Sequence, residues 1–403
     1  MRDALPSTRT ERLDTSAAVP TGQGGQVRDV DIQAVILAGG QGTRLRPVTS
    51  DLPKPLVPIA NRPLIEHQLR HLADQSVRDV TLALGYGAEQ FAVLEKLASE
   101  LGITLRIVVE PAPLGTGGAL RYCADEGALD DRPLLWVNGD IVAAPDVAAF
   151  TAFHVEHGAL ITFWLTSVRD RTQFGVLEIN ADGFVENFLE KPSPDETSSH
   201  LVNSGIVMLE PGILRRIPPD TFFSFERSLV PAMVREREQI YGQFRGGYWL
   251  DTGRPHLYLE ANRHVLERRL SWTPTGRQIE DSLWVEPEVV CDGVDVIRPA
   301  AIGRGAVIEE GARLFGRTVI GRNAVVRSGA RLEDCVLFDG AEIGYDAEVV
   351  NSIVCADACI GPGTWMDNSI VGAGTRLGRR NVLRSTRLWP GVELGDHALV
   401  VDD

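Results

Sequence analysis

The chain has 403 residues, 44% of them hydrophobic and 24% charged. That balance supports buried cores and excludes global disorder, and the length predicts two or three domains. With 40 basic against 55 acidic residues the formal net charge is -15, which opposes nonspecific binding to nucleic acid or anionic lipid, so any anionic ligand must meet a local basic pocket.

Residues 1 to about 30 are rich in Ser, Thr, Gly, Pro and charge without sustained periodicity and read as a flexible tail. They lack the apolar run of a secretory leader, and no later stretch approaches the ~18 apolar residues that span a bilayer. The expectation is a cytoplasmic protein with no membrane or nucleic-acid partner. From Ile32 the pattern changes: IQAVILAGG is an apolar strand running into glycines, and 64 to 74 carries apolar residues at helical spacing. VTLALGY, 88 to 101, LRIVVE and PLLWVNGD continue as strand, helix, strand, strand. Strands alternating with helices predict a Rossmann-like, doubly wound, mostly parallel α/β sheet over 31–270, with ligands at the carboxyl ends of its strands.

After 271 the grammar changes. We read 271–295 as a linker and 296–403 as a parallel β-helix of hexapeptide repeats. Ile-Gly or Leu-Gly pairs start at Ile302, Ile320, Ile343, Ile360, Leu377 and Leu394. Apolar residues about six apart lie between them: Ile302, Ile308, Leu314, Ile320, Val326, Leu332 and Phe338. Such a repeat predicts a three-sided coil whose inward side chains stack on the coil below. The final four pairs recur at a shorter interval, which predicts one shortened corner per coil. The solenoid's flat faces and open end predict a homo-oligomer. Cys123, Cys291, Cys335, Cys355 and Cys359 make an odd set of five, which argues against a disulfide framework and for buried thiols.

Chemistry concentrates in LAGGQGTRLRPVTSDLPKP, Leu37 to Pro55. Gly39, Gly40 and Gly42 let backbone N–H groups approach phosphate oxygens, Leu37 and Thr43 flank them, and Arg44 and Arg46 follow the turn. Lys54 stands between two prolines. Lysine is rare: only Lys54, Lys96 and Lys191 interrupt a chain that otherwise writes positive charge as Arg, and a compact ammonium differs from a planar fork. Lys96, on a solvated helix face, has no assigned role. The segment is neither GxxxxGK[ST] nor a dinucleotide fingerprint.

This segment resembles the signature GGxGTRLxPLT…PKP of the sugar-1-phosphate nucleotidyltransferases, with Val48 the one departure. The resemblance continues in order through EPAPLGTGGAL, VNGD, FGVLE, FLEKP, VNSGI and GYWLDTG, covering about residues 32 to 265, and the solenoid over 296–403 resembles the left-handed β-helix that many members carry. It implies attack of a sugar 1-phosphate oxygen on the α-phosphorus of a nucleoside triphosphate, releasing pyrophosphate. Alignment and charge neutralisation are what such a reaction needs from a protein.

By the same resemblance Asp140 and Asp251 hold Mg²⁺, Arg44 grips the triphosphate over the 39 to 43 backbone, Lys54 lies near the α-phosphate, and Lys191 holds the sugar phosphate. Gly115, Thr116 and Gly118 belong to the loop that reads the base and lies along the ribose. Glu190 bonds sugar hydroxyls, with Gly175 and Asn203 lining the sugar side. The pattern is most similar to mannose-1-phosphate guanylyltransferases, although Gly118-Ala119-Leu120 stands where many eukaryotic members have a proline. GTP is the favoured donor, and the acceptor is a sugar 1-phosphate or a cyclitol 1-phosphate such as valienol 1-phosphate. Thymidylyl, adenylyl or cytidylyl transfer and a non-catalytic regulatory subunit are the alternatives. An acetyl-transferring β-helix is disfavoured, because beyond His264 the sole histidine is His397.

Overall fold

The structure, a computed structural model, describes residues 31–291 and 293–402; the tail expected over residues 1 to 30 lies outside them. The opening strand, Gln33–Ala38, has almost no polar surface to offer water and sits at the centre of the first sheet. It pairs in parallel with Asp79–Leu84 on one side and with Leu134–Asn138 on the other, and Thr104–Val109 extends the sheet beyond Asp79–Leu84. Helices Leu64–Asp74, Leu94–Leu101 and Gly115–Asp125 connect these strands and cover the sheet's faces. This is the expected Rossmann-like half. Leu201–Leu209 then runs antiparallel to Leu134–Asn138 and carries the sheet on to Gly175–Ile179 and Val185–Glu190.

Because the parallel strands all point the same way, their carboxyl ends share one rim. Gly39, Glu110 and Asp140 each follow a strand end there. A separate ribbon completes the rim: Trp249–Asp251 pairs antiparallel with Ile141–Ala143 and sets Asp251 opposite Ile141, one residue from Asp140.

The second half is the expected β-helix. Its strands stack in parallel as three sheets, and a large apolar side chain from each faces inward: Ile302, Ile308 and Leu314, then Ile320, Val326 and Leu332, then Leu337, Ile343 and Val349. The third coil departs from the six-residue phase. Leu337, not Phe338, points inward, and Phe338 packs outside against Tyr258. The ladder gives the reason: Thr318 pairs with Ala300, an 18-residue step, whereas Val336 pairs with Val319, a 17-residue step. Losing one residue at a corner turns the next side chain to the other face.

The linker reading of 271–295 needs correction. That segment holds strands Arg277–Glu280 and Leu283–Val285, and the latter pairs in parallel with Ala300–Ile302. Leu283 is already inward and Trp284 outward, so the stack begins there. Of the cysteines, Cys123, Cys335 and Cys355 are buried with thiols pushed up to about 12 by desolvation, while Cys359 is half-buried.

One face of the β-helix lies along the first domain. Ala301, Val319, Val336, Ile353 and Ile370 point outward from successive rungs and form one core with Leu45, Val48, Val57, Ile59, Tyr258 and Trp272. The helix Pro255–Leu266 sits between: Tyr258 donates its hydroxyl to Pro58 O (2.6 Å), and Asn262 Oδ1 accepts from Ala60 N (2.7 Å). Asn61 Nδ2 donates to Ile320 O (2.8 Å), and Arg263 Nη2 to Asn351 Oδ1 (2.7 Å). The segment between Leu45 and Asn61, which carries Lys54, is thus held from behind by the solenoid.

Candidate active site

The glycine-rich turn follows directly from Gln33–Ala38. Gly42 adopts φ 61°, a conformation that side chains seldom tolerate, and a Cβ there would lie 3.1 Å from Lys54 Cβ and 3.3 Å from Thr49 Cγ2. Thr49 Oγ1 donates to Gly42 O (2.8 Å), tying the turn to the segment that returns with Lys54. Pro53 caps, and Pro55 lies within, the short 3-10 helix Lys54–Leu56, so little freedom is left at the base of the lysine stem.

The rim encloses a cavity of about 450 Å³. Leu37, Gly39, Gly40, Gly42, Thr43, Arg44, Lys54, Gly115, Thr116 and Asp140 all line it. Asp251 reaches the same place through ion pairs. Lys54 Nζ is 2.8 Å from Asp140 Oδ2 and 3.4 Å from Asp251 Oδ1, and Arg44 Nη2 is 3.7 Å from Asp251 Oδ2.

Lys54 is only 5% exposed, which is tolerable for an ammonium because it is held between two carboxylates. Arg44, with 54% of its side chain exposed, reaches over the cavity instead. Burial works to raise the Asp140 carboxyl, but the Lys54 ammonium, its hydrogen bond and then Arg44 outweigh it and hold the group below its ordinary value. Gly253 N donates to Asp251 Oδ1 (2.8 Å), fixing that carboxylate, and Thr252 Oγ1 donates to the main-chain carbonyl of Asp140 (2.9 Å), tying the two segments together. The opening end of helix Gly115–Asp125 faces the cavity with Gly115 and Thr116, adding the partial positive charge of a helix N-terminus.

Gly118 is a correction. It does not line the cavity, and its N–H, with that of Gly117, donates to Phe223 O (3.1 and 3.0 Å). A Cβ at Gly118 would come within 2.7 Å of Thr221 O, so this glycine serves close packing of the 221–225 loop and has no free donor for a base.

The sugar-side residues form a neighbouring group on the antiparallel extension of the sheet. Gly175 faces Glu190: a Cβ there would stand 3.0 Å from Glu190 Oε2. Lys191, at φ 53°, places its ammonium 4.0 Å from Glu190 Oε1. Desolvation, and then the charge of Glu226, raise the Glu190 carboxyl. Glu226 in turn accepts from Thr116 Oγ1 (2.6 Å), so the two groups meet at that residue. Asn203 Oδ1 accepts from Gly205 N (2.9 Å), and Gly205, at φ 81°, lies against the side chain of Asn138 in the cavity wall.

Glu110, Asn138, Phe222 and Gly253 also line the cavity, and sequence reasoning assigned none of them. Asn138 and Gly253 stood inside the VNGD and DTG motifs, and Glu110 opens EPAPLGTGG. Phe222, 68% exposed beside Gly115, had no sequence signal. Glu110 accepts from Leu114 N through Oε2 (3.0 Å), and burial raises its carboxyl above the usual range.

Residues that could hold a divalent cation are Asp140 and Asp251. Among the described residues no cluster of three or more His, Cys, Asp or Glu side chains is placed to bind a metal. Two hard carboxylates with no third protein ligand suit an ion such as Mg²⁺, which takes its remaining oxygens from phosphate and water.

Known families match both halves of the chain. Residues 33–268 match the nucleotidyl transferase family, and residues 296–401 match a family described as the GMPPB C-terminal domain. The chain is 36% identical over 346 residues to a mannose-1-phosphate guanyltransferase of Schizosaccharomyces pombe, covering 85% of this chain and 91% of that one. It is 33% identical over 287 residues to a mannose-1-phosphate guanylyltransferase of Mycobacterium tuberculosis, covering 71% and 79%. A crystal structure of a putative glucose-1-phosphate thymidylyltransferase from Bacillus anthracis superposes with a TM-score of 0.53 at 22% identity, over 60% of this chain and 97% of that chain, a likeness of fold.

Proposed function

The chain belongs to the nucleotidyl transferase family, and on that premise we propose that it transfers a guanylyl group from GTP to mannose 1-phosphate with the help of Mg²⁺. The products are GDP-mannose and pyrophosphate. An oxygen of the sugar phosphate bonds to the α-phosphorus, and the bond from that phosphorus to the bridging oxygen of the leaving pyrophosphate breaks. The nucleophile is already ionised, so the protein's contribution is to bring two anions together and hold them in line.

The observation that carries this reading is the clasp of Lys54 between Asp140 and Asp251, with Arg44 over the same cavity. Lys54 and Arg44 would meet the α-phosphate and the triphosphate, and the 39 to 43 backbone would cradle the β- and γ-phosphates. Asp140 and Asp251 would hold the cation, whose chemistry when bound is to neutralise phosphate charge. Lys191 and Glu190 would bind the sugar phosphate and hydroxyls, with Gly175 and Asn203 beside them. This complete charge set supports an enzyme over a regulatory subunit.

Guanine is favoured by Glu110 as well as by the relatives' names. Its Oε2 is engaged by Leu114 N, and a Cβ on Gly39 would stand 2.9 Å from Oε1, which places the carboxylate at the cavity wall. A carboxylate there needs donors. Guanine presents two adjacent ones, N1–H and the 2-amino group, whereas thymine and uracil present one between two acceptors. Mannose over glucose or a cyclitol rests on the relatives' names alone.

The test is pyrophosphate release from GTP, ATP, CTP, UTP and dTTP, each crossed with mannose, glucose and cyclitol 1-phosphates. GTP with mannose 1-phosphate should turn over fastest, and Glu110→Gln should reduce the preference for GTP on the order of ten-fold or more, because a buried hydrogen-bonding partner is lost. Absence of release with every pair would overturn the reading.

A further inference from the structure

Between Asp140 and Asp251 the structure places the ammonium of Lys54 itself, at 2.8 and 3.4 Å. We infer that Lys54 is a built-in stand-in for the divalent cation: it keeps the two carboxylates together in the nucleotide-free enzyme and is drawn off when a triphosphate enters, so that metal binding depends on nucleotide. The inference rests on the proposal that these two aspartates hold the metal.

Three observations lead to it. First, the ammonium is buried, and the two carboxylates close to it come from elements far apart in sequence, the end of Leu134–Asn138 and the end of Trp249–Asp251. The backbone ladder brings the two segments together, but without a cation between them the like charges of the carboxylates would turn the side chains apart.

Second, the local charge is balanced. Arg44 and Lys54 match Asp140 and Asp251, and no third acidic ligand completes a metal cluster among the described residues. A dication arriving alone would leave an excess of positive charge beside a guanidinium and an ammonium. A dication arriving with a triphosphate would not, because the phosphates take over both basic groups.

Third, the stem is fixed at its base and its side chain lines the cavity. Pro53, Pro55 and the close approach of Gly42 hold the backbone and Cβ of Lys54, while the side chain beyond them lines the same cavity as Gly40 and Thr43. The ammonium can therefore turn from the carboxylates to phosphate oxygens without moving the main chain.

The test is titration of Mn²⁺ into the full-length protein without nucleotide, with free Mn²⁺ followed by electron paramagnetic resonance. Wild type, Lys54→Met, Asp251→Asn and the double variant are compared after circular dichroism has confirmed that each is folded. Lys54→Met should bind Mn²⁺ on the order of ten-fold tighter than wild type, since an ammonium about 3 Å from both carboxylates no longer competes. The double variant should lose that gain. Lys54→Gln, which keeps a hydrogen-bond donor for the aspartates, is expected to behave like Lys54→Met and replaces it should the latter not fold.

Tight Mn²⁺ binding by nucleotide-free wild type, abolished by Asp251→Asn, would overturn the stand-in role while leaving the carboxylates as the metal site. A gain in Lys54→Met that persists in the double variant would instead overturn the placement of the metal.

Discussion

Lys54 and Arg44 do different things from one ion-pair cluster, and their burial separates the two. Lys54 is almost wholly enclosed and bridges two carboxylates, whereas Arg44 is half in solvent and touches one of them at 3.7 Å. Removing a preorganised donor of this kind costs about 3 kcal/mol of transition-state stabilisation, or ~10² to 10³ in rate. Lys54→Ala and Arg44→Ala should each lower the rate of pyrophosphate release by that order. They should part company in thermal melting: Arg44→Ala loses an exposed pair worth at most about 1 kcal/mol, but Lys54→Ala also leaves two carboxylates facing each other and should melt lower. Near-normal turnover in either variant would remove it from the site. The cluster was legible in the sequence because a chain that avoids lysine retains one between two prolines, within a motif of glycines and arginines. Glu110 and Phe222 were not, because only the packing of the 104–109 strand and the 221–225 loop beside the glycine turn brings them to the cavity.

The helix Leu64–Asp74 shows how an element behind the site carries its own pH dependence. His67 lies on its buried face, stacked on Trp272 with ring centroids 4.6 Å apart, and donates from Nε2 to Ile59 O (3.0 Å). Desolvation depresses its imidazolium from 6.5 to about 3. Below its ordinary value the unfolded chain therefore binds a proton that the folded one refuses, so stability is lost as pH falls through that window, by about 1.4 kcal/mol per pH unit for this group. Melting temperature measured from pH 7 down to ~4 should fall less steeply for His67→Gln than for wild type, and equal slopes would refute the assignment. Elements of this kind were readable from periodicity, since 64 to 74 has one apolar face. The solenoid's phase was readable only in part: six-residue spacing locates Ile302 through Leu332 and the interval of the last four pairs announces a shortened corner, but where the shortening begins, turning Leu337 inward and Phe338 outward, becomes visible only in the ladder. Gly118 failed for a related reason, since a glycine needed for backbone approach and one needed for tight packing look the same in sequence.

Across the whole molecule, the solenoid and the catalytic half share a hydrophobic core that ends directly behind the segment bearing Arg44 and Lys54. Integrity of the site therefore depends on a surface remote from the chemistry. Val336, 2% exposed in that shared core, is the sharpest probe. Val336→Asp buries a carboxylate with no partner and should cost several kcal/mol, lowering both melting temperature and turnover. The same change at Val382, on a strand of a different sheet, should leave both near wild type, and equal effects from the two would show that the solenoid does not buttress the site. At this scale the net charge of -15 still leaves room for anionic substrates, because Arg44 and Lys54 meet in one cleft of an acidic molecule.

For the proposed reaction a divalent cation and two phosphates must meet where Lys54 now joins Asp140 to Asp251. Anomalous diffraction from crystals grown with Mn²⁺ and a non-hydrolysable GTP analogue examines that directly. We predict a manganese peak coordinated by carboxylate oxygens of both aspartates and by the nucleotide, with the Lys54 ammonium turned onto phosphate oxygens. Manganese bound elsewhere, with Lys54 still clasped by both carboxylates, would contradict it.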